Sequence, residues 1–247
     1  PMSSTDLAQL GVAVIAAVVA AVRAFASRGT TRTPASRWLT WLLTVTAVAL
    51  LVGWPPLMHA LAGDGGGLIA LRVVQHSCVL GMALAFLAFA EHATRTSPGT
   101  ARRVVRLASV VAVFAGAVMV ATAAVGAVGL PEAPPLHLLT PDHASSPAIA
   151  VYLVAYAVPI GLSVIEVGIR CGAVARRPGR PLYRAAMALF VLGCAAGAAY
   201  SVLRVAGTVA TATGGAFDTA AVSFPVTLIG IGCVLAGSGL VGVNRLV

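Results

Sequence analysis

Arg72, Gln75 and His76 stand at i, i+3 and i+4 within the apolar run LIALRVVQHSCVLGMALAFLAFAEH, so a helix through residues 68–92 carries a guanidinium, an amide and an imidazole on one face. Against hydrocarbon such groups are costly; in a membrane span they face a bundle interior or a wet cavity. Two more pairs share helical spacing: Tyr152 with Tyr156, and Tyr200 with Arg204. Guanidinium forks onto carboxylate or phosphate through paired N–H donors, and a phenol offers an apolar body with a polar tip. The chemistry these types suit is recognition of a small amphiphile with an anionic, lipid-like character. The expected ligand-binding residues are Arg72, Gln75, His76, Tyr152, Tyr156, Tyr200 and Arg204. The competing reading is a structural polar network in which both arginines snorkel to the outer headgroups.

Other chemistry is disfavoured. Haem held by two imidazoles needs a second His opposite His76, whereas His59 and His92 fall near opposite ends of their spans. No Cys or His pair has metal-ligand spacing, so neither a metal nor a cofactor is expected. All sixteen basic residues are Arg, and without Lys there is no amine for a retinal or pyridoxal Schiff base. Cys78, Cys194 and Cys233 lie in apolar spans and Cys171 directly follows one, so no disulfide framework is implied.

The elements that must position these residues follow from composition. Only 9% of the chain is charged and 59% is hydrophobic, against about 25% charged in a soluble domain, so the chain reads as an all-α polytopic membrane protein. Seven stretches approach the roughly 20 residues a helix needs to cross a bilayer: 7–26, 38–57, 68–92, 104–128, 148–170, 183–209 and 224–243, forming a single domain over 1–247. Pro1 ahead of Met2 looks like a residue left by a cleaved tag.

Charge orients the bundle. Arg23, Arg28, Arg32 and Arg37 follow the first span, Arg95, Arg102, Arg103 and Arg106 the third, Arg170, Arg176, Arg177, Arg180 and Arg184 the fifth, and Arg245 the seventh. The connections 58–67, 129–147 and 210–223 contain no basic residue and carry Asp64, Glu132, Asp142 and Asp218. The positive-inside rule then puts the N-terminus outside and the C-terminus in the cytoplasm of a bacterial cell with the protein in its inner membrane. It also accounts for the net charge of +9 without nucleic acid.

In this frame the candidate residues of the third, fifth and sixth spans share the outer half of the bilayer, and an outward-facing cavity between those spans is expected. Smaller signals are structural. Pro55-Pro56 is expected to end the second span, Glu91 to pair with Arg95, and Glu166 with Arg170, each at i, i+4. Pro159 suggests a kink, and Gly193 to Gly197 has the GxxxG spacing of close helix packing. The GxGxxG at 237–242 lies inside an apolar span with no strand before it, so dinucleotide binding is not expected. The connection 129–147, rich in Pro, reads equally as an ordered cap or a flexible lid.

The segments LRVVQHSCVLGMALAFLAF, VYLVAYAVPIGLSVIEVGIRC and GCAAGAAYSVLRVAG resemble an actinobacterial family of seven-helix proteins described as transporters or integral membrane regulators. That resemblance implies transport or regulation, with longer members continuing into a cytosolic domain after the last span. In size and topology the chain is also similar to small membrane-bound terpene cyclases. That resemblance implies an acidic residue protonating an alkene or epoxide, for which Asp64 and Asp218 are the candidates. The spans are poor in aromatics and lack acidic-tryptophan motifs. A third possibility is a non-catalytic membrane subunit or sensor, or a homo-oligomer, docking a cytoplasmic partner through Arg102, Arg103 and Arg106. The expected partners are membrane lipids and a small amphiphile.

Overall fold

The computed structural model describes residues 4–26, 33–63, 67–94, 97–129, 139–215 and 220–243. Its helices are α1 Ser4–Ala26, α2 Pro34–Val52, α3 Pro55–Ala62, α4 Gly67–Thr94, α5 Pro98–Gly129, α6 Pro147–Ala175, α7 Pro181–Ala212 and α8 Ala220–Val243, with a 3-10 turn over Pro141–His143. No strand occurs among the described residues. Six helices, α1, α2, α4, α5, α6 and α7, are long and apolar enough to cross a membrane; the apolar part of α8, Pro225–Val241, is shorter. The chain is thus an all-α, multi-pass type of bundle. Most helices run a turn or so beyond the apolar stretches, because hydropathy stops where polar end residues begin and hydrogen bonding does not.

One boundary is corrected. Pro55 and Pro56 do not end the second span. The helix stops at Val52, where Gly53 caps it, and the two prolines open α3 at positions that need no N–H donor. The end of α2 is therefore a break at Gly53-Trp54. A Cβ on Gly53 would collide with the side-chain amide of Gln75, so the glycine lets α4 approach at that point.

Six helices form a ring in the order α1, α2, α4, α6, α7, α8, and α8 returns to α1. Contacts fix the directions. Gln9 on α1 donates to the Leu50 carbonyl on α2 at 2.7 Å, Arg23 on α1 donates to the Ser238 carbonyl on α8 at 3.1 Å, and His76 on α4 meets Tyr152 on α6. α5 stands outside this ring against α4 and α6, with Leu107, Val113, Phe114 and Val125 exposed. In a bilayer those side chains lie in lipid.

Small residues set the α6–α7–α8 spacing. A Cβ on Gly193 would lie 2.9 Å from Val234 Cγ2 and 3.0 Å from the Gly230 carbonyl, and one on Gly237 would lie 3.0 Å from the Ala186 carbonyl. Gly197 meets Val164 of α6 at 3.3 Å by the same measure. The GxxxG spacing and the first glycine of the GxGxxG are packing contacts. Pro159 lies within α6 and leaves the helix continuous over Pro147–Ala175.

At the end of the bundle where α4 and α6 finish, Arg170 joins two carboxylates. Its Nε lies 2.7 Å from Glu91 Oε1, an ion pair without the linear alignment of a hydrogen bond, and its Nη2 bonds Glu166. The Glu166–Arg170 pair is the one expected from spacing. The Glu91 pair joins α4 to α6 across the bundle, and Arg95, its expected partner, lies outside the described residues. Of the connection 129–147, residues 139–147 form an ordered turn with Leu139 and Ala144 buried against α6; residues 130–138 lie outside the described set.

Candidate functional site

A cavity of about 400 Å3 occupies the middle of the ring. All six ring helices line it: α1 through Thr5, Asp6 and Gln9, α2 through Leu42, Thr46, Ala49 and Gly53, α4 through Arg72, Gln75, His76, Met82 and Phe86, α6 through Tyr156, Ile160 and Val164, α7 through Gly193, Gly197, Tyr200 and Arg204, and α8 through Ser223, Thr227, Ile231, Val234 and Leu235. The lining changes character with depth. Near the end where α1, α4, α6 and α8 begin, those helices and α7 present polar or charged residues, and deeper along them the lining is apolar; on α2, Thr46 lies deeper than Ala49 and Leu50. From Arg72 to Phe86 along α4 is about 21 Å.

The polar end is held by a short network. Arg72 Nη1 donates to Gln75 Oε1 at 2.6 Å. His76, buried, pairs its Nδ1 with the Tyr152 hydroxyl at 2.7 Å, and its ring stacks on Tyr156 with centroids 4.3 Å apart. The Tyr156 and Tyr200 hydroxyls are 3.2 Å apart, and Arg204 Nε donates to the Tyr200 hydroxyl at 3.2 Å with its guanidinium 5.4 Å from the centre of that ring. Arg72 on α4 and Arg204 on α7, the two helices that flank α6, lie within electrostatic range of each other, and Asp142 lies within range of Arg204. Helical spacing alone produces the intrahelical contacts. The bonds from His76 to Tyr152 and from Tyr156 to Tyr200 need α4, α6 and α7 to meet at one level, which they do.

An aromatic cluster lies at the far end. Phe86, Phe89 and Phe190 pack on one another, with Phe86–Phe190 and Phe89–Phe190 edge to face at 5.5 and 5.3 Å. The Glu91–Arg170–Glu166 group lies beyond them along the same helices.

Six of the seven residues singled out in the sequence line this cavity: Arg72, Gln75, His76, Tyr156, Tyr200 and Arg204. Tyr152 does not. It is fully buried and stands behind His76, holding the imidazole from the side away from the cavity. The cavity is also wider than a space between three spans, since α1, α2 and α8 contribute walls. The sequence reading missed Asp6, Gln9, Thr46, Ser223 and Thr227. Asp6 and Gln9 carried a signal, a carboxylate and an amide at i, i+3 opening an otherwise apolar span. The two candidate acids for cyclisation, Asp64 and Asp218, lie outside the described residues. Among the described residues no group of His, Cys, Asp or Glu is placed to hold a metal ion.

No protein-family model matches this chain, and neither the curated proteins nor the solved structures include one significantly similar to it.

Proposed function

We propose that the chain is a seven-span protein of the bacterial inner membrane whose central cavity binds or moves a small amphiphile with an anionic head. α8 is the seventh span: its apolar part, Pro225–Val241, is at the short end of the 17–25 residues a crossing takes. The orientation has the N-terminus outside. In support, ten described arginines, Arg23, Arg37, Arg102, Arg103, Arg106, Arg170, Arg176, Arg177, Arg180 and Arg184, gather at one end, which this reading assigns to the cytoplasm.

The observation that carries the ligand reading is the gradient along one cavity. Two guanidiniums and two phenols line its polar end, and mostly aliphatic side chains run from there to Phe86. An anionic head answers the first and a hydrocarbon tail the second. The volume lies in the usual range for small-molecule pockets, about 300–1,000 Å3. With the N-terminus outside, the polar end faces outward, which makes the outer leaflet or the periplasm the source of the ligand.

The test is calorimetric titration of the protein in nanodiscs with dodecanoate, dodecyl phosphate and dodecanol. The two anions bind and the alcohol does not. Arg204→Gln removes charge-assisted hydrogen bonds worth about 1.5–3 kcal/mol and so weakens the anions roughly ten- to hundredfold. Dodecanol binding as tightly as dodecanoate, or unchanged anion affinity in the variant, overturns the reading. Orientation is checked separately: protease added outside spheroplasts removes an N-terminal tag, and a protected tag overturns the topology.

A further inference from the structure

A second apolar opening lies outside the ring, between α5 and the helices it leans on. It is a groove of about 230 Å3 lined by Leu80, Leu84 and Leu87 of α4, Val104, Leu107, Ala108 and Val111 of α5, and Pro159, Leu162 and Glu166 of α6. It lies between two stretches at which α5 is anchored, where small side chains leave space. Towards its end α5 is anchored: Ala115, Met119 and Ala123 are buried in one cluster with Ile149 and Leu153, and a Cβ on Gly126 would collide with the Ile149 side chain. Its start is anchored too, with Ala101 and Val105 buried and Val104 packed on the cluster that holds Leu87 and Ala90; between the two anchored stretches the small side chains of Ala108 and Ala112 line the opening.

We infer that this groove is a binding site for one acyl chain of an anionic phospholipid from the cytoplasmic leaflet, with the phosphate on the arginines that open α5. The inference rests on the membrane setting and orientation proposed above, and not on the ligand of the central cavity. A void in protein packing forfeits dispersion contacts along its walls unless something fills it. In the hydrocarbon layer the filler is an acyl chain. The walls suit one, being apolar except for Ser163 and Glu166, and the Glu166 carboxylate is already bonded to Arg170. From Val104 to Val111 the groove runs about 10 Å along α5.

Charge selects the head. At the Val104 end, within a turn, Arg102, Arg103 and Arg106 are all exposed. A chain leaving the groove there reaches the interface beside three guanidiniums, and basic residues at the cytoplasmic mouths of interhelical pockets draw anionic headgroups. A zwitterionic lipid fills the groove equally well but gains less from the arginines.

Native mass spectrometry after graded delipidation tests this with vesicle-supplied palmitoyl-oleoyl phosphatidylglycerol against the matching phosphatidylcholine. One phosphatidylglycerol per chain is retained when phosphatidylcholine has been lost. Ala108→Phe fills the groove and releases it. Arg103→Gln and Arg106→Gln, both exposed, each weaken retention roughly fivefold. Retention of phosphatidylglycerol at the wild-type level in Ala108→Phe, or equal retention of the two lipids by wild type, overturns the site. Should Ala108→Phe fail to fold, the two arginine variants decide: unchanged retention in both overturns it. Anion binding in the central cavity is unaffected in these variants, so the two proposals fail separately.

Discussion

Tyr152→Phe separates the structural part of the polar network from the part that faces the cavity. The variant keeps the ring, which is fully buried, so no packing volume is lost. It removes the hydroxyl 2.7 Å from Nδ1 of the buried His76, and with it that bond. Orphaning a buried polar group costs about 1–3 kcal/mol in soluble proteins. Interhelical hydrogen bonds in membranes average only about 0.6 and reach about 1.7 kcal/mol, because a chain unfolded in lipid also finds partners. The bond is short and joins two buried side chains, which puts it at the high end, so a loss of about 1–1.5 kcal/mol follows. Tyr156→Phe is the control. It keeps the stack on His76 and removes a hydroxyl contact at 3.2 Å, while the Tyr200 hydroxyl keeps the Arg204 donor. Its expected loss is about 0.5 kcal/mol. Unfolding by SDS in mixed micelles, followed by circular dichroism, measures both. A double-mutant cycle of Tyr152→Phe with His76→Phe returns a coupling of about 1 kcal/mol. Tyr152→Phe no more destabilising than Tyr156→Phe, or strict additivity in the cycle, refutes the reasoning.

Other perturbations follow from single contacts. Gly193→Ala pushes a methyl against the Gly230 carbonyl, which as backbone cannot turn aside, and costs about 1–3 kcal/mol, whereas Gly11→Ala, with nothing within 4 Å, is neutral or stabilising by up to about 1 kcal/mol in the same unfolding assay. Arg170→Met removes the guanidinium from Glu91, whose side chain is 0% exposed, and costs about 3–5 kcal/mol, while Glu166→Gln, at 42% exposure, costs less than about 1 kcal/mol. Gly53→Ala displaces the Gln75 amide and with it the Arg72 contact, lowering dodecanoate affinity more than it lowers thermal stability; equal affinity with a lowered melting temperature argues against a role for that contact in binding.

Most of the helical order was legible because it depends on local quantities. Apolar length marks a span, and spacing of four puts Tyr200 under Arg204. Depth along alternating spans is nearly as local, and it brought Arg72, His76, Tyr156 and Tyr200 to one level. What escaped depends on lateral arrangement. Nothing in the sequence puts α5 outside the ring or sets α1, α2 and α8 around the cavity, so Asp6 and Gln9 read as the polar start of a span. Glu91 has a neighbour at i+4 in the sequence and Arg170 two helices on, and only packing reveals the second. Pro55-Pro56 follows a helix and precedes another; a missing donor fits both positions, and the sequence cannot say which helix it serves.

For the amphiphile proposed above, the aromatic cluster of Phe86, Phe89 and Phe190 makes the cavity a ruler. A hydrocarbon anchored at Arg72 has about 21 Å before it strikes the rings. Affinity therefore rises with each methylene up to that length and then stops, since further carbons must fold back or stay in the mouth. The graduation mark is one side chain: trimming Phe86 moves it, and the preferred carbon number moves with it.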